Sequence, residues 1–181
     1  MALTGQPEQF EARSGALGRW YDVRAYQTVP GRFAVVFTDI TERRQVEAVQ
    51  SFLAQSAGAS GHEDFFKALA RYLAQTLAAD FVCIDRLVED GLSAQTVAIY
   101  YDGTFEDNVT YTLKETPCGE VVGRTVCCFP RDVRGLFPRD AVLQEMKAEG
   151  YVGITLWSYQ GKPIGLIALI WRGPLEDPGL A

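Results

Sequence analysis

Apolar and polar positions along this chain switch period several times, and each switch predicts an element. Phe10 to Arg13 and Trp20 to Gln27 read as short strands, with Val29-Pro30-Gly31 as the turn before a third. Phe33 to Phe37 are bulky or β-branched apart from Ala34, which predicts a strand buried on at least one side. That strand runs without a loop into a helix start, where Asp39 stands as an N-cap and Glu42 follows at capping-box spacing. The helix beyond is polar (Glu42, Arg43, Arg44, Gln45, Glu47, Gln50) except for a narrow seam of Val46, Val49 and Leu53, continued by Ser56. A strand that drives a helix directly is a mechanical coupler, since a twist of the sheet must rotate the helix.

The small residues Ala57-Gly58-Ala59-Ser60-Gly61 predict a fraying end, and Ser60 with Glu63 makes a second capping box. Phe65, Phe66, Leu69, Tyr72, Leu73 and Leu77 then recur at three and four residues, as one buried helix face requires. From Asp80 the period drops to that of strands. Phe81 to Ile84 and Ala94 to Tyr101 form a hairpin through Glu89-Asp90-Gly91, and Val109 to Leu113 reads as a half-exposed strand. A short helix is expected over Gly119 to Gly123 and a strand over Thr125 to Phe129. Pro138 is placed to open another helix, with Asp140 in its first turn and Gly150 as its stop. Tyr151 to Tyr159 and Pro163 to Trp171 close the chain as a hairpin across Gln160-Gly161-Lys162. The order predicts an α+β fold, an antiparallel sheet flanked by helices.

Composition narrows the function classes. The 181 residues suffice for one domain, or one and a part. The charge-poor stretches Phe33 to Phe37, Tyr151 to Trp157 and Pro163 to Trp171 are far too short to span a bilayer, and Met1 opens no signal peptide, so a cytoplasmic setting without membrane contact is expected. Net charge is −6, and residues 1–60 balance six basic against six acidic side chains, so the excess acid lies beyond them. No basic stripe offers itself to nucleic acid. Cys83, Cys118, Cys127 and Cys128 make no Cys-x-x-Cys pair, and His62 is the single histidine, so no metal site is expected.

Two family resemblances follow from these residues. Asp39-Ile40-Thr41, followed by Glu42-Arg43-Arg44 and preceded by three short strands, resembles the C-terminal part of a PAS domain, over residues 8 to 45. That resemblance implies a signalling helix and a junction at Asp39, Ile40 and Thr41 that relays strain, but covers too little of a PAS domain to carry a cofactor. From residue 62 to 172, Tyr111-Thr-Leu-Lys-Glu-Thr-Pro-Cys118, Phe137-Pro-Arg-Asp140, Tyr151-Val-Gly153 and Gly161-Lys-Pro-Ile-Gly165 resemble a GAF domain of the kind found in bacterial sensor histidine kinases and cyclic-di-nucleotide signalling proteins. The cyclic-nucleotide signature of other GAF domains is missing, and no cysteine neighbours His62 as bilin attachment would require. Haem, bilin, cyclic nucleotide and metal thus have no support, and the cofactor is left unknown.

Candidate chemistry centres on the second module. The GAF resemblance implies a ligand pocket between the sheet and the helical insertion, with Tyr101, Tyr111, Phe129, Phe137 and Trp157 as walls, unless these are ordinary core aromatics. Glu115, Glu120 and Arg124 are the polar anchors nearest by sequence. Cys118, after Thr116-Pro117, is expected in the first turn of its helix, where unpaired N–H groups would lower its pKa. The competing reading is a small buried residue. Cys127 and Cys128 should point to opposite faces of one strand. No catalytic residue is assigned.

The expected organisation is therefore a partial PAS sheet over residues 1–40, a connecting helix and linker over 41–60, a GAF domain over 61–175, and a link over 176–181 to a missing output domain. The expected function is sensing and relay. A small ligand or a second copy of the chain would bind, the latter along Val46, Val49 and Leu53, and helices would pass the change onward. The parent would be a sensor histidine kinase or a diguanylate cyclase or phosphodiesterase, this segment itself being no enzyme. A dimerisation scaffold, and a redox switch or GAF-fold reductase centred on Cys118, stand as alternatives.

Overall fold

The computed structural model describes residues 6–56 and 62–176. The chain divides into two compact units, Met1–Gly58 and Ala59–Ala181. The expected fray at 57–61, the Ser60–Glu63 capping box, the His62 side chain and the terminal link at 177–181 lie outside the described residues.

The first unit is an antiparallel meander of β1 (Glu8–Arg13), β2 (Trp20–Val29) and β3 (Arg32–Asp39), followed by helix α1 (Thr41–Ser56). Its register aligns Phe10 with Val23 and Val23 with Phe37, so these side chains share one face with Tyr21, Ala25, Phe33 and Val35. The expectation that Phe33 to Phe37 is buried is corrected here. Phe33 is 66% and Phe37 64% exposed, and on that face of the middle strand only Val23 and Ala25 are buried. β3 is an edge strand, and α1 starts from the opposite face. There Arg43 pairs with Glu11 at 2.6 Å, Arg44 also pairs with Glu11, and the Arg44 guanidinium lies 5.0 Å from the Trp20 ring centroid. Apolar character says what a strand can bury, not what covers it.

The second unit opens with α2 (His62–Leu77) and builds a sheet from β4 (Phe81–Leu87), β5 (Ser93–Tyr101), β6 (Thr104–Glu106), β7 (Thr110–Thr112), β8 (Val126–Phe129), β9 (Gly150–Trp157) and β10 (Pro163–Trp171). The order is β6-β5-β4-β10-β9-β8, with β7 paired to β5, and every pairing is antiparallel. α2 covers one face. Ala70 and Ala74 are its most buried positions and let it approach Val82, Ile84, Ala98, Val152 and Leu169 closely. The other face carries the rows Phe81–Ile170–Tyr151–Phe129 and Cys83–Ala168–Gly153–Cys127, covered by α3 (Pro117–Val121), α4 (Val133–Leu136) and α5 (Ala141–Met146).

Several boundaries differ from expectation, each for a local reason. The half-exposed strand contracts to β7, and the three-residue β6 was not anticipated, being too short to show a period. The helix expected at Gly119 to Gly123 begins earlier, at Pro117, because the Thr116 hydroxyl oxygen accepts the Gly119 N–H at 3.2 Å and so caps it. The helix expected from Pro138 begins only after Asp140, whose carboxylate accepts the N–H groups of Val142 and Leu143 at 3.1 and 3.2 Å. It ends at Lys147, left-handed at φ 57°, rather than at Gly150, which already belongs to β9.

Candidate functional site

The face beneath α3, α4 and α5 carries a polar cluster inside an apolar core. Asp85 on β4 is 2% exposed, two residues from Cys83 and therefore on the same side of the sheet. Its Oδ2 accepts the Tyr111 hydroxyl at 2.8 Å and its Oδ1 accepts the Cys83 thiol at 2.9 Å. Cys118 in α3 stands next along the chain of contacts, accepting the Tyr151 hydroxyl at 3.3 Å. Four elements, β4, β7, α3 and β9, thus meet through five side chains.

Local sequence explains how they are brought together. The register of β4 against β5 slips between Ile84 and Asp85, and β7 pairs with β5 so that Tyr111 sits opposite Ala94. The small Ala94 leaves room for the phenol to reach Asp85. α3 is drawn onto the sheet by the Thr155 hydroxyl, which donates to the Val121 carbonyl at 2.7 Å. Gly119 permits the same approach, since a Cβ there would run into the Leu113 carbonyl oxygen. Gly153 does so from the sheet side, where a Cβ would strike Val121 and the Tyr151 ring.

Burial dominates the electrostatics. It pushes the Asp85 carboxyl up to about 6, although the hydrogen bonds from Cys83 and Tyr111 favour its charged form and oppose the shift. Burial also raises the Cys118 thiol to about 12, the Asp85 charge adding to the effect while the Tyr111 and Tyr151 hydroxyls oppose it. Cys83, Tyr111 and Tyr151 are raised for the same first reason. The thiolate-favouring environment expected for Cys118 is therefore corrected. The residue does lie in the first turn of α3, but desolvation and a neighbouring carboxylate outweigh a five-residue helix.

Tyr101, Tyr111, Phe129 and Phe137 pack against the same core, with the Phe129 ring 5.3 Å from Phe137 and 5.9 Å from Tyr151. Trp157, at the end of β9, is 43% exposed. Glu120 faces outward to Arg124 at 3.5 Å, and Glu115 pairs on the surface with Arg139 at 2.5 Å. Cys127 belongs to the cluster face and donates to the Glu120 carbonyl at 3.3 Å, whereas Cys128 packs on the α2 face. All four cysteines are free. Sequence reasoning missed Asp85, Cys83 and Tyr151. The available signal was a single acid two positions after a cysteine in the apolar run Phe81 to Ile84.

In the first unit, Asp39 is the last residue of β3 and Ile40, buried, accepts the first helical N–H, from Arg44 at 3.0 Å. The Asp39 carboxylate accepts from the Thr41 hydroxyl and from the Thr41 N–H, and these contacts, with Arg19 at 3.0 Å, hold it below the usual carboxylate range. The helix start is thus capped by Asp39 onto Thr41, two residues on, in place of a reciprocal box with Glu42. Val46, Val49 and Leu53 are about half exposed along α1.

No family model matches the sequence, and no curated protein matches it. Solved structures do share its fold. The chromophore-binding domain of a Stigmatella aurantiaca phytochrome aligns with TM-score 0.57 at 14% identity, over 92% of this chain and 66% of that one. The A. aeolicus nlh2 GAF domain in an inactive state aligns with TM-score 0.60 at 14% identity, over 77% of this chain and 85% of its own. The GAF domain of an Acinetobacter phosphoenolpyruvate-protein phosphotransferase aligns at 0.55 and 15% identity, over 72% and 78%. An antiparallel sheet with α2 on one face and short helices on the other is the GAF fold of these structures. Among the described residues, no helix is long and apolar enough to cross a membrane, and no group of three or more His, Cys, Asp or Glu side chains is placed to hold a metal.

Proposed function

We propose that this chain is a sensing and relay segment of a bacterial signalling protein. The second unit would act as a GAF domain that answers a small ligand between its sheet and α3, α4 and α5. The observation that carries this reading is the buried cluster of Asp85, Tyr111, Cys118 and Tyr151, which links the sheet to the helical insertion inside a GAF fold. Tyr101, Phe129 and Phe137, which pack against the same core, would supply its apolar walls. Phytochrome and GAF structures with the same fold support the sensory class, and a chromophore is bound in one of them by its name.

The first unit would be the end of a PAS domain, with Asp39, Ile40 and Thr41 as the junction that relays strain into α1. The half-exposed seam of Val46, Val49 and Leu53 supports a parallel homodimer along that helix. A population shift in either unit would then reach an output domain through paired helices. The test is native mass spectrometry of the purified chain, followed by the Val49→Glu, Leu53→Glu double variant. A dimer with an added small-molecule mass, converted to monomer by the double variant, supports both parts. A monomer of bare chain mass that gains nothing from a metabolite extract overturns them.

A further inference from the structure

We propose that Asp85 is a proton-operated latch, whose protonation transfers the Tyr111 hydrogen bond from the β4 carboxylate to the Cys118 sulfur and so resets β7 against α3. An ionised carboxylate only accepts, and Asp85 receives one O–H and one S–H on its two oxygens. A proton from solvent converts one oxygen into a donor, so a second donor can no longer point at that oxygen's hydrogen. The oxygens keep lone pairs enough for both donors, but the new O–H needs an acceptor of its own, and a partner that turns its hydrogen away supplies one. Tyr111 has somewhere to turn to, because its hydroxyl already interacts with the Cys118 thiol in α3.

Surroundings leave this proton without a rival. The ionisable groups around Asp85 are Cys83 on its own strand, Tyr111 on β7, Cys118 on α3 and Tyr151 on β9, with Asp140 at the start of α5 near enough to act on Cys118. From β5 and β10 come Thr96 and Leu166, which carry no charge. All of the ionisable groups are acids, and among the described residues no Lys or Arg pairs with Asp85. Arg86, the next residue, turns to the other face and donates to Gln95. Burial without a cation is what brings a carboxyl into the neutral range of pH, and here it stands at about 6. The movement has a route outward, since α3 is tied to β9 by Thr155 and Val121.

The latch rests on the sensory reading for its biological meaning, but its titration is a property of the chain alone. The experiment is a pH titration from 5 to 8 of the Asp-labelled chain by carbon NMR, with hydrogen exchange of segment 110–121 corrected for intrinsic rates. One carboxyl should titrate near 6, and exchange in that segment should change several-fold across the same midpoint. Asp85→Asn should remove both responses. Tyr111→Phe should raise the midpoint by about one unit, through loss of a donor to the charged form, and abolish the exchange change. If Asp85→Asn does not fold, Tyr111→Phe alone decides. A flat Asp85 signal, or titration with unchanged exchange in 110–121, overturns the latch. Either result could stand beside a ligand found by native mass spectrometry, which would keep the sensory reading.

Discussion

Asp39 accepts two hydrogen bonds from Thr41, at 3.0 Å from the backbone N–H and 2.6 Å from the hydroxyl. The same hydroxyl accepts the Trp20 N–H at 3.0 Å, so strand β2, the end of β3 and the start of α1 are held by one pair of side chains. Asp39→Ala should raise amide exchange several-fold over Thr41 to Arg44, while Asp39→Asn, which keeps an acceptor, should change it less. Because the folded pKa of Asp39 is depressed, its contribution is complete above the unfolded value and is lost as pH falls through the folded one. Protection of these amides should therefore decline in acid, below about pH 4, and stay level on the alkaline side. Unchanged exchange in Asp39→Ala would remove the capping role.

Asp85 should give the opposite pH dependence. Its folded pKa, about 6, lies above the unfolded value, so the folded state binds the extra proton. Its neutral form favours folding, and that advantage is lost as pH rises from about 4 through 6. At pH 7.5 the charge then costs on the order of 3 kcal/mol relative to a neutral side chain, from about two pKa units. Urea denaturation should show Asp85→Asn gaining about twice as much stability on the parent at pH 7.5 as at pH 5, where roughly half of the charge cost has set in. An equal difference at both pH values would assign the effect to packing.

The fold was legible where a period had room to repeat. The hairpins through Gly91 and Gly161 and the apolar stripe of α2 extend over enough residues to declare themselves. α4 and β6 occupy four and three residues and cannot show a period at all. The aromatic character of the core at Tyr101, Tyr111, Phe129 and Phe137 was legible, but the polar cluster was not, because Asp85 and Tyr111 lie 26 positions apart and meet only through a slipped register. The reactive reading of Cys118 rested on helix position, beside the reading of a small buried residue. What surrounds it in space, an acid and two phenols, decides its chemistry instead.

Cys118 should consequently be a slow thiol. With its pKa raised to about 12, its thiolate fraction at pH 7.5 is on the order of one in 10⁴, against about one in ten for an unperturbed cysteine. Peptide mapping after iodoacetamide should find Cys118 unlabelled in the folded chain under conditions that modify it fully in urea. Rapid folded-state labelling of Cys118 would restore the redox-switch alternative.

Gly119 tests how closely α3 must sit. A methyl group there would meet the Leu113 carbonyl oxygen, a backbone atom that cannot rotate away, although Leu113 also accepts the Thr116 hydroxyl at 2.8 Å. Gly119→Ala should therefore cost about 1–3 kcal/mol in urea denaturation despite the better helix propensity of alanine. Gly173→Ala, whose Cβ would have no atom within 4 Å, serves as the control and should be near neutral. Displacing α3 also moves Cys118 away from Tyr151, so Gly119→Ala should speed Cys118 alkylation while leaving Cys128 unaffected. Loss of stability without faster alkylation would mean that the helix tolerates the shift and the cluster does not depend on its seat.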